Sequence, residues 1–164
     1  MSEERIGSEE RIGSEDRIEG EDTPFYVATR DLAAPAPLVW SIIADFGGLK
    51  RWSAAIEACS ADGNAVGAMR MVRVAGGEIC ERLEAFDPAA RFLRYRPVSG
   101  SVMPINGLNV TMRLTELGPE ATRIEWAVYG TPTIDSAKAQ ASIAKRYEFR
   151  LDELEACMAG QRGD

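Results

Sequence analysis

At 164 residues, with 26 acidic against 19 basic side chains and a formal charge of −7, the chain has the length of one ordinary domain and can bury a core without staples. It contains no histidine, which excludes Ser-His-Asp and Cys-His triads, imidazole metal ligands and the usual base near neutral pH, and leaves acid–base chemistry to Asp, Glu, Tyr, Lys, Cys or a bound cofactor. Cys59, Cys80 and Cys157 show no C-x-x-C spacing, no apolar run approaches the ~18 residues that span a bilayer, and the N-terminus is acidic where a secretion signal is basic, so a cytoplasmic protein without disulfides, metal or membrane contact is expected.

Residues 1–22 repeat a hexapeptide, "ERIGSE", "ERIGSE", "DRIEGE", and hold nine acids against three arginines, so six of the seven net negative charges belong to this segment. A period of six does not match the helical 3.6, and each unit carries one isoleucine among several charges, which predicts a disordered acidic tail. Its plain reading is a solubilising leader or a product of repeat slippage. Its sharper reading is a docking arm for a basic protein partner, with Ile6, Ile12 and Ile18 on one side of an extended chain.

Residues 23–160 read as the ordered domain, and 161–164 as a short C-terminal tail. "FYVATRDLAA" (25–34) has strand character. "PAPLVWSIIADFGG" (35–48) reads as a short helix with Pro37 in its first turn, Val39, Ile42, Ile43 and Phe46 on one face and a Gly-Gly stop; "LKRWSAAIE" allows a second. Strand-like runs follow: "AMRMVRVA", a Gly76-Gly77 hairpin turn, "EICERLEAF", an Asp87-Pro88 turn, "RFLRYRPV", "GLNVTMRLTEL", a Gly118-Pro119 turn, and "ATRIEWAVYG". The segment 134–158 is a long helix capped by Asp135 or Ser136, with Ile143, Tyr147, Leu151, Leu154 and Met158 as its apolar stripe. A one-faced antiparallel sheet and one amphipathic helix must bury those faces on each other, so the fold class is α+β.

"AAPAPLVWSIIADFGGLKRW", with "GGEICERLEAFD", "RFLRY", "PIN" and "IEW" after it, resembles the polyketide cyclase/dehydrase-like branch of the START-related helix-grip (SRPBCC) superfamily, to which the plant abscisic acid receptors also belong. The resemblance covers roughly residues 25–158. It implies a curved sheet of about seven antiparallel strands wrapped round the C-terminal helix, a cavity between them, and a small apolar, polyketide-like ligand with no cofactor. The fold alone does not choose among carriers, receptors and cyclases. The resemblance points Glu81, Leu93, Tyr95 and Pro97 inward, with Leu108, Val110, Met112 and Leu114 following, and alternation agrees for these strands. On "RIEWAVYG" the two disagree: alternation turns Ile124, Trp126 and Val128 inward, whereas the family pattern favours Glu125, Ala127 and Tyr129, which is the reading adopted.

Glu81 is the pivotal residue. It is either the ionic partner of Arg70 on the neighbouring strand or a working acid in the pocket. With Glu125 and Tyr129 on the same floor and Tyr95 across from them, a proton donor beside an acceptor suits enolisation, cyclisation or dehydration; the alternative is a non-catalytic carrier of small apolar molecules or lipids. The expected ligand contacts are Arg70, Ile79, Leu93, Tyr95, Leu108, Val110 and Met112 from the sheet and Ile143, Tyr147 and Leu151 from the helix. Arg146 and Arg150, at i and i+4, read as surface arginines snorkelling beside the stripe, with a carboxylate or enolate at the cavity mouth as the other reading. Arg82, Arg91, Arg94 and Arg96 lack interleaved aromatics, the domain is near neutrality and the acidic tail would repel phosphate, so a solvated sheet face is expected and not a nucleic-acid surface. The protein is read as a monomer or homodimer.

Overall fold

Period-two alternation and β-branched or aromatic residues carry seven segments into strands, and the computed structural model describes residues 23–163. The elements are β1 (Tyr26–Leu32), α1 (Ala36–Ile43), α2 (Leu49–Trp52), β2 (Ile56–Ala61), β3 (Met69–Val74), β4 (Gly77–Asp87), β5 (Phe92–Ser99), β6 (Ile105–Gly118), β7 (Ala121–Pro132) and α3 (Ser136–Gly163). The tail and docking arm expected at residues 1–22 lie outside the described residues.

All seven strands join one antiparallel sheet in the order β1-β7-β6-β5-β4-β3-β2. The first strand therefore closes on the last, and strands two to seven form a meander whose concave face receives α3. The helix-grip architecture implied by the sequence is the one observed. Ile143, Tyr147, Leu151, Leu154 and Met158 are all buried, so the stripe read from the sequence is the face α3 lays on the sheet. Asp135 caps it, its carboxylate accepting the backbone N–H of Lys138 at 3.1 Å. The helix continues through Gly163, so residues 161–163 are helical and not a separate tail.

Pro37 starts α1, which buries Ala36, Val39, Ile42 and Ile43 and ends at Ile43, short of the Gly-Gly stop. Phe46 is buried just beyond it, and an added Cβ on Gly47 would stand 3.0 Å from the backbone nitrogen of Ala61, so glycine lets the chain pass close to β2. The reading of 49–57 as one helix is corrected: only Leu49–Trp52 is helical, and Ile56–Ala61 is an edge strand paired with β3. The turn between β3 and β4 is also shifted by one residue. Val74 pairs with Gly77, so Ala75 and Gly76 are the two turn residues, at φ 55° and 77°. Positive φ at both matches the turn whose twist suits a two-residue hairpin.

Two apolar clusters result. The large one joins α1, α3 and the central strands; the small one, Ile56, Val72, Val74 and Ile79, lies under the β3–β4 hairpin. The gap between them positions the site.

Candidate functional site

Where β3 and β4 run antiparallel, Arg70 stands directly opposite Glu81. Both point inward. The Arg70 Nε and Nη2 donate to the same Glu81 oxygen, Oε1, at 2.8 and 2.6 Å, and Nη1 donates to the Phe46 carbonyl at 3.1 Å. The guanidinium lies 4.2 Å from the Phe46 ring centroid and 4.7 Å from that of Tyr95. Side-chain exposures of 8% and 15% make this a desolvated pair, in which each charge relies on the other. Of the two roles left open for Glu81, the geometry is that of an ionic partner.

Above the pair, Trp126 Nε1 donates to the Tyr95 hydroxyl at 3.2 Å, and the Trp126 ring lies 4.5 Å from that of Tyr147 and 6.1 Å from that of Trp52. Burial, reinforced by the Glu81 charge, pushes the Tyr95 hydroxyl up to about 12. Burial likewise holds Tyr147 well above the ordinary tyrosine range. Both phenols are therefore neutral hydrogen-bonding groups at physiological pH and not bases.

These residues bound a pocket of about 80 Å³ between the two clusters. Its apolar wall is built by Ile43, Leu49 and Trp52 from the helical turns and by Ile56, Val72, Val74 and Ile79 from the hairpin; Met112 and Trp126 lie behind. Val102 and Met103, in the β5–β6 loop, and Arg146 and Arg150, on α3, close the mouth. A wider cleft of about 570 Å³ adjoins it, sharing Val74, Arg146 and Arg150 and adding Ala75, Lys145 and Phe149. The inner pocket is below the ~300–1,000 Å³ usual for ligand sites, and the cleft lies within that range.

Of the residues singled out in the sequence, Arg70, Ile79, Glu81, Tyr95, Met112 and Tyr147 line the inner pocket. Leu93, Leu108, Val110, Ile143 and Leu151 do not; they are buried in the large cluster, where the α3 stripe fills the sheet's concavity. Glu125 and Tyr129 must be corrected as well. Ile124, Trp126 and Val128 face the core, while Glu125 is exposed opposite Arg113 and Thr29, and Tyr129 sits half-buried outside the pocket opposite Asn109. A one-residue slip inverts a whole strand, and burying Ile124 and Trp126 outweighs burying a carboxylate, so alternation decides this strand.

Arg146 and Arg150 are corrected in the other direction. Both line the pocket. Arg150 Nη1 donates to Ser53 Oγ at 2.9 Å and to Glu153 at 3.4 Å, and Glu153 in turn accepts from Ser53 Oγ at 2.5 Å and from the Ala55 N–H at 3.3 Å. Arg146 Nη2 donates to the Val102 carbonyl at 3.3 Å. Its sequence signal is the i+3 spacing from Ile143, which puts it at the margin of the apolar face. On the outer face, Arg82 and Arg96 share Glu84 at 2.7 and 3.0 Å, and Arg91 lies 3.7 Å from Glu116.

A seven-stranded antiparallel sheet gripping a long C-terminal helix, with a polar-centred pocket between, is the START-like helix-grip class. The model of the polyketide cyclase/dehydrase and lipid transport family matches residues 26–159, and the chain belongs to that family. Similar solved structures include a START superfamily protein from Mycobacterium smegmatis (18% identity, TM-score 0.67, covering 83% of this chain and 97% of that one). Another is the protein XoxI from Bacillus cereus (20% identity, TM-score 0.74, covering 84% and 96%). A third is norcoclaurine synthase from Thalictrum flavum, solved with dopamine and hydroxybenzaldehyde (15% identity, TM-score 0.65, covering 82% and 86%). At these identities the likeness establishes the fold. No helix among the described residues is long and apolar enough to cross a membrane.

Proposed function

We propose that this protein is a non-catalytic binding protein for a small, largely apolar molecule held between the sheet and α3. The observation that carries the reading is the commitment of Glu81: its Oε1 takes two hydrogen bonds from Arg70. Cyclisation or dehydration by paired carboxylates needs a second acid in the same dry site; Glu125 is on the outer face, and Asp45, which also lines the pocket, is 38% exposed and paired with Arg51 at 3.2 Å. Tyr95 and Tyr147 can offer or accept a hydrogen bond but are poor proton acceptors at neutral pH. What remains is an apolar wall with a few convergent polar groups, the composition of a binding site. Membership of the polyketide cyclase/dehydrase and lipid transport family supports ligand binding in this fold.

Trp52 and Trp126 line the pocket and make it self-reporting. Titration of the protein with N-phenyl-1-naphthylamine, an uncharged fluorescent probe, is expected to give saturable one-site energy transfer from tryptophan. The probe is expected back chemically unchanged. Absence of saturable transfer contradicts binding. Transformation of polyketide-like test substrates that Glu81→Gln abolishes contradicts the non-catalytic part.

A further inference from the structure

The charged groups facing the pocket are Asp45, Arg70, Glu81, Arg146 and Arg150, and four of them already have ionic partners. Asp45 is bound to Arg51 at 3.2 Å, Arg70 to Glu81 at 2.6 Å, and Arg150 to Glu153 at 3.4 Å. Arg146 has no carboxylate within ion-pairing distance among the described residues; its one hydrogen bond goes to the neutral Val102 carbonyl. Its Nε is buried and has no hydrogen-bond partner, and among the described residues it is the buried side-chain polar atom left in that state. A buried donor without an acceptor costs about 1–3 kcal/mol, so such atoms call for an explanation.

Arg146 stands where the inner pocket meets the wider cleft, and lines both. Lys145 and Glu57, which also line the cleft, are exposed charges of opposite sign and add no net charge to its described lining. The Val102 carbonyl holds the guanidinium in place, with Nε closed off by the packing around it and the side chain as a whole only part-buried where the pocket meets the cleft. A guanidinium pairs with a carboxylate through short charge-assisted hydrogen bonds.

Resting on the binding function proposed above, we infer that the ligand is an apolar monocarboxylate whose carboxylate pairs with the Arg146 guanidinium, the pocket-lining cation that has no carboxylate partner among the described residues. The same contact ties α3 to the β5–β6 loop, because Arg146 already holds that loop through Val102. Burial and the neighbouring Arg150 charge lower the Arg146 pKa, and a ligand anion relieves both effects.

The test is calorimetric titration of the full chain with octanoate and 1-naphthylacetate, each against its uncharged amide, octanamide and 1-naphthylacetamide. Wild type is expected to bind at least one acid about ten- to hundredfold more tightly than its amide, the range that one hydrogen bond to a charged group spans. Preference for octanoate identifies an acyl chain as the apolar part, and preference for 1-naphthylacetate an aromatic acid. Arg146→Gln is expected to lower acid affinity by about tenfold more than it lowers amide affinity, so that the preference is lost, and Arg146→Lys, which keeps the charge without the planar fork, to restore the preference in part. Equal wild-type affinity for acid and amide overturns the inference without any variant, as does an Arg146→Gln loss that is the same for both. If the amides or N-phenyl-1-naphthylamine bind and the acids bind no better, only the anion preference fails. If none of the probes binds, the binding function itself fails and the inference with it.

Discussion

Tyr95 and Tyr147 show how burial turns a titratable group into a fixed one. Both folded-state pKa values are raised, Tyr95 to about 12, chiefly by burial. The unfolded chain releases these protons near pH 10, whereas the folded protein keeps them. Their contribution to stability is therefore complete below about pH 10 and is lost as pH rises toward 12. Tyr95→Phe is expected to flatten that alkaline decline, and denaturant titrations at pH 8, 10 and 11 measure it. An unchanged slope contradicts the assignment. At this scale the Arg70–Glu81 pair is legible in the amino-acid sequence, because alternation along a tight hairpin puts the two on one face. Arg146 is not: an arginine that snorkels and one that turns inward share the same helical spacing, and only the packing of the β5–β6 loop separates them.

The elements are legible in proportion to their periodicity. α3 shows a clean five-residue stripe, and its cap is equally plain. β2, "IEACSA", does not alternate, and its pairing with β3 breaks register between Ile56 and Ala58, so it leaves no period-two signal. β7 departs from expectation for a different reason: the family pattern and alternation conflict there, and following the pattern slips the strand by one residue and puts Glu125 and Tyr129 on the wrong face. The β3–β4 turn carries strain that follows from its one-residue shift. Ala75 occupies the left-handed region at φ 55°, where a Cβ is penalised. Ala75→Gly is expected to raise stability by about 0.5–1 kcal/mol, the relief partly offset by glycine's greater freedom when unfolded. Urea unfolding measures it, and a loss of stability refutes the turn assignment.

For the whole molecule, seven antiparallel strands around one helix leave two apolar clusters with a charged centre between them, and the function depends on what that centre does. A structural ion pair under aromatic rings, with a cation at the mouth that has no carboxylate partner among the described residues, fits the proposed binding protein. A free carboxylate in the same place would describe an acid. Equilibrium unfolding of wild type and Glu81→Gln at neutral pH separates these directly. Breaking one side of a buried pair leaves Arg70 without its counter-charge, and a loss of about 2–4 kcal/mol is expected, somewhat under the usual 3–5 because Glu81 is not wholly dry. Stability unchanged or increased contradicts the account, because a carboxylate kept at a cost to folding is one kept for chemistry.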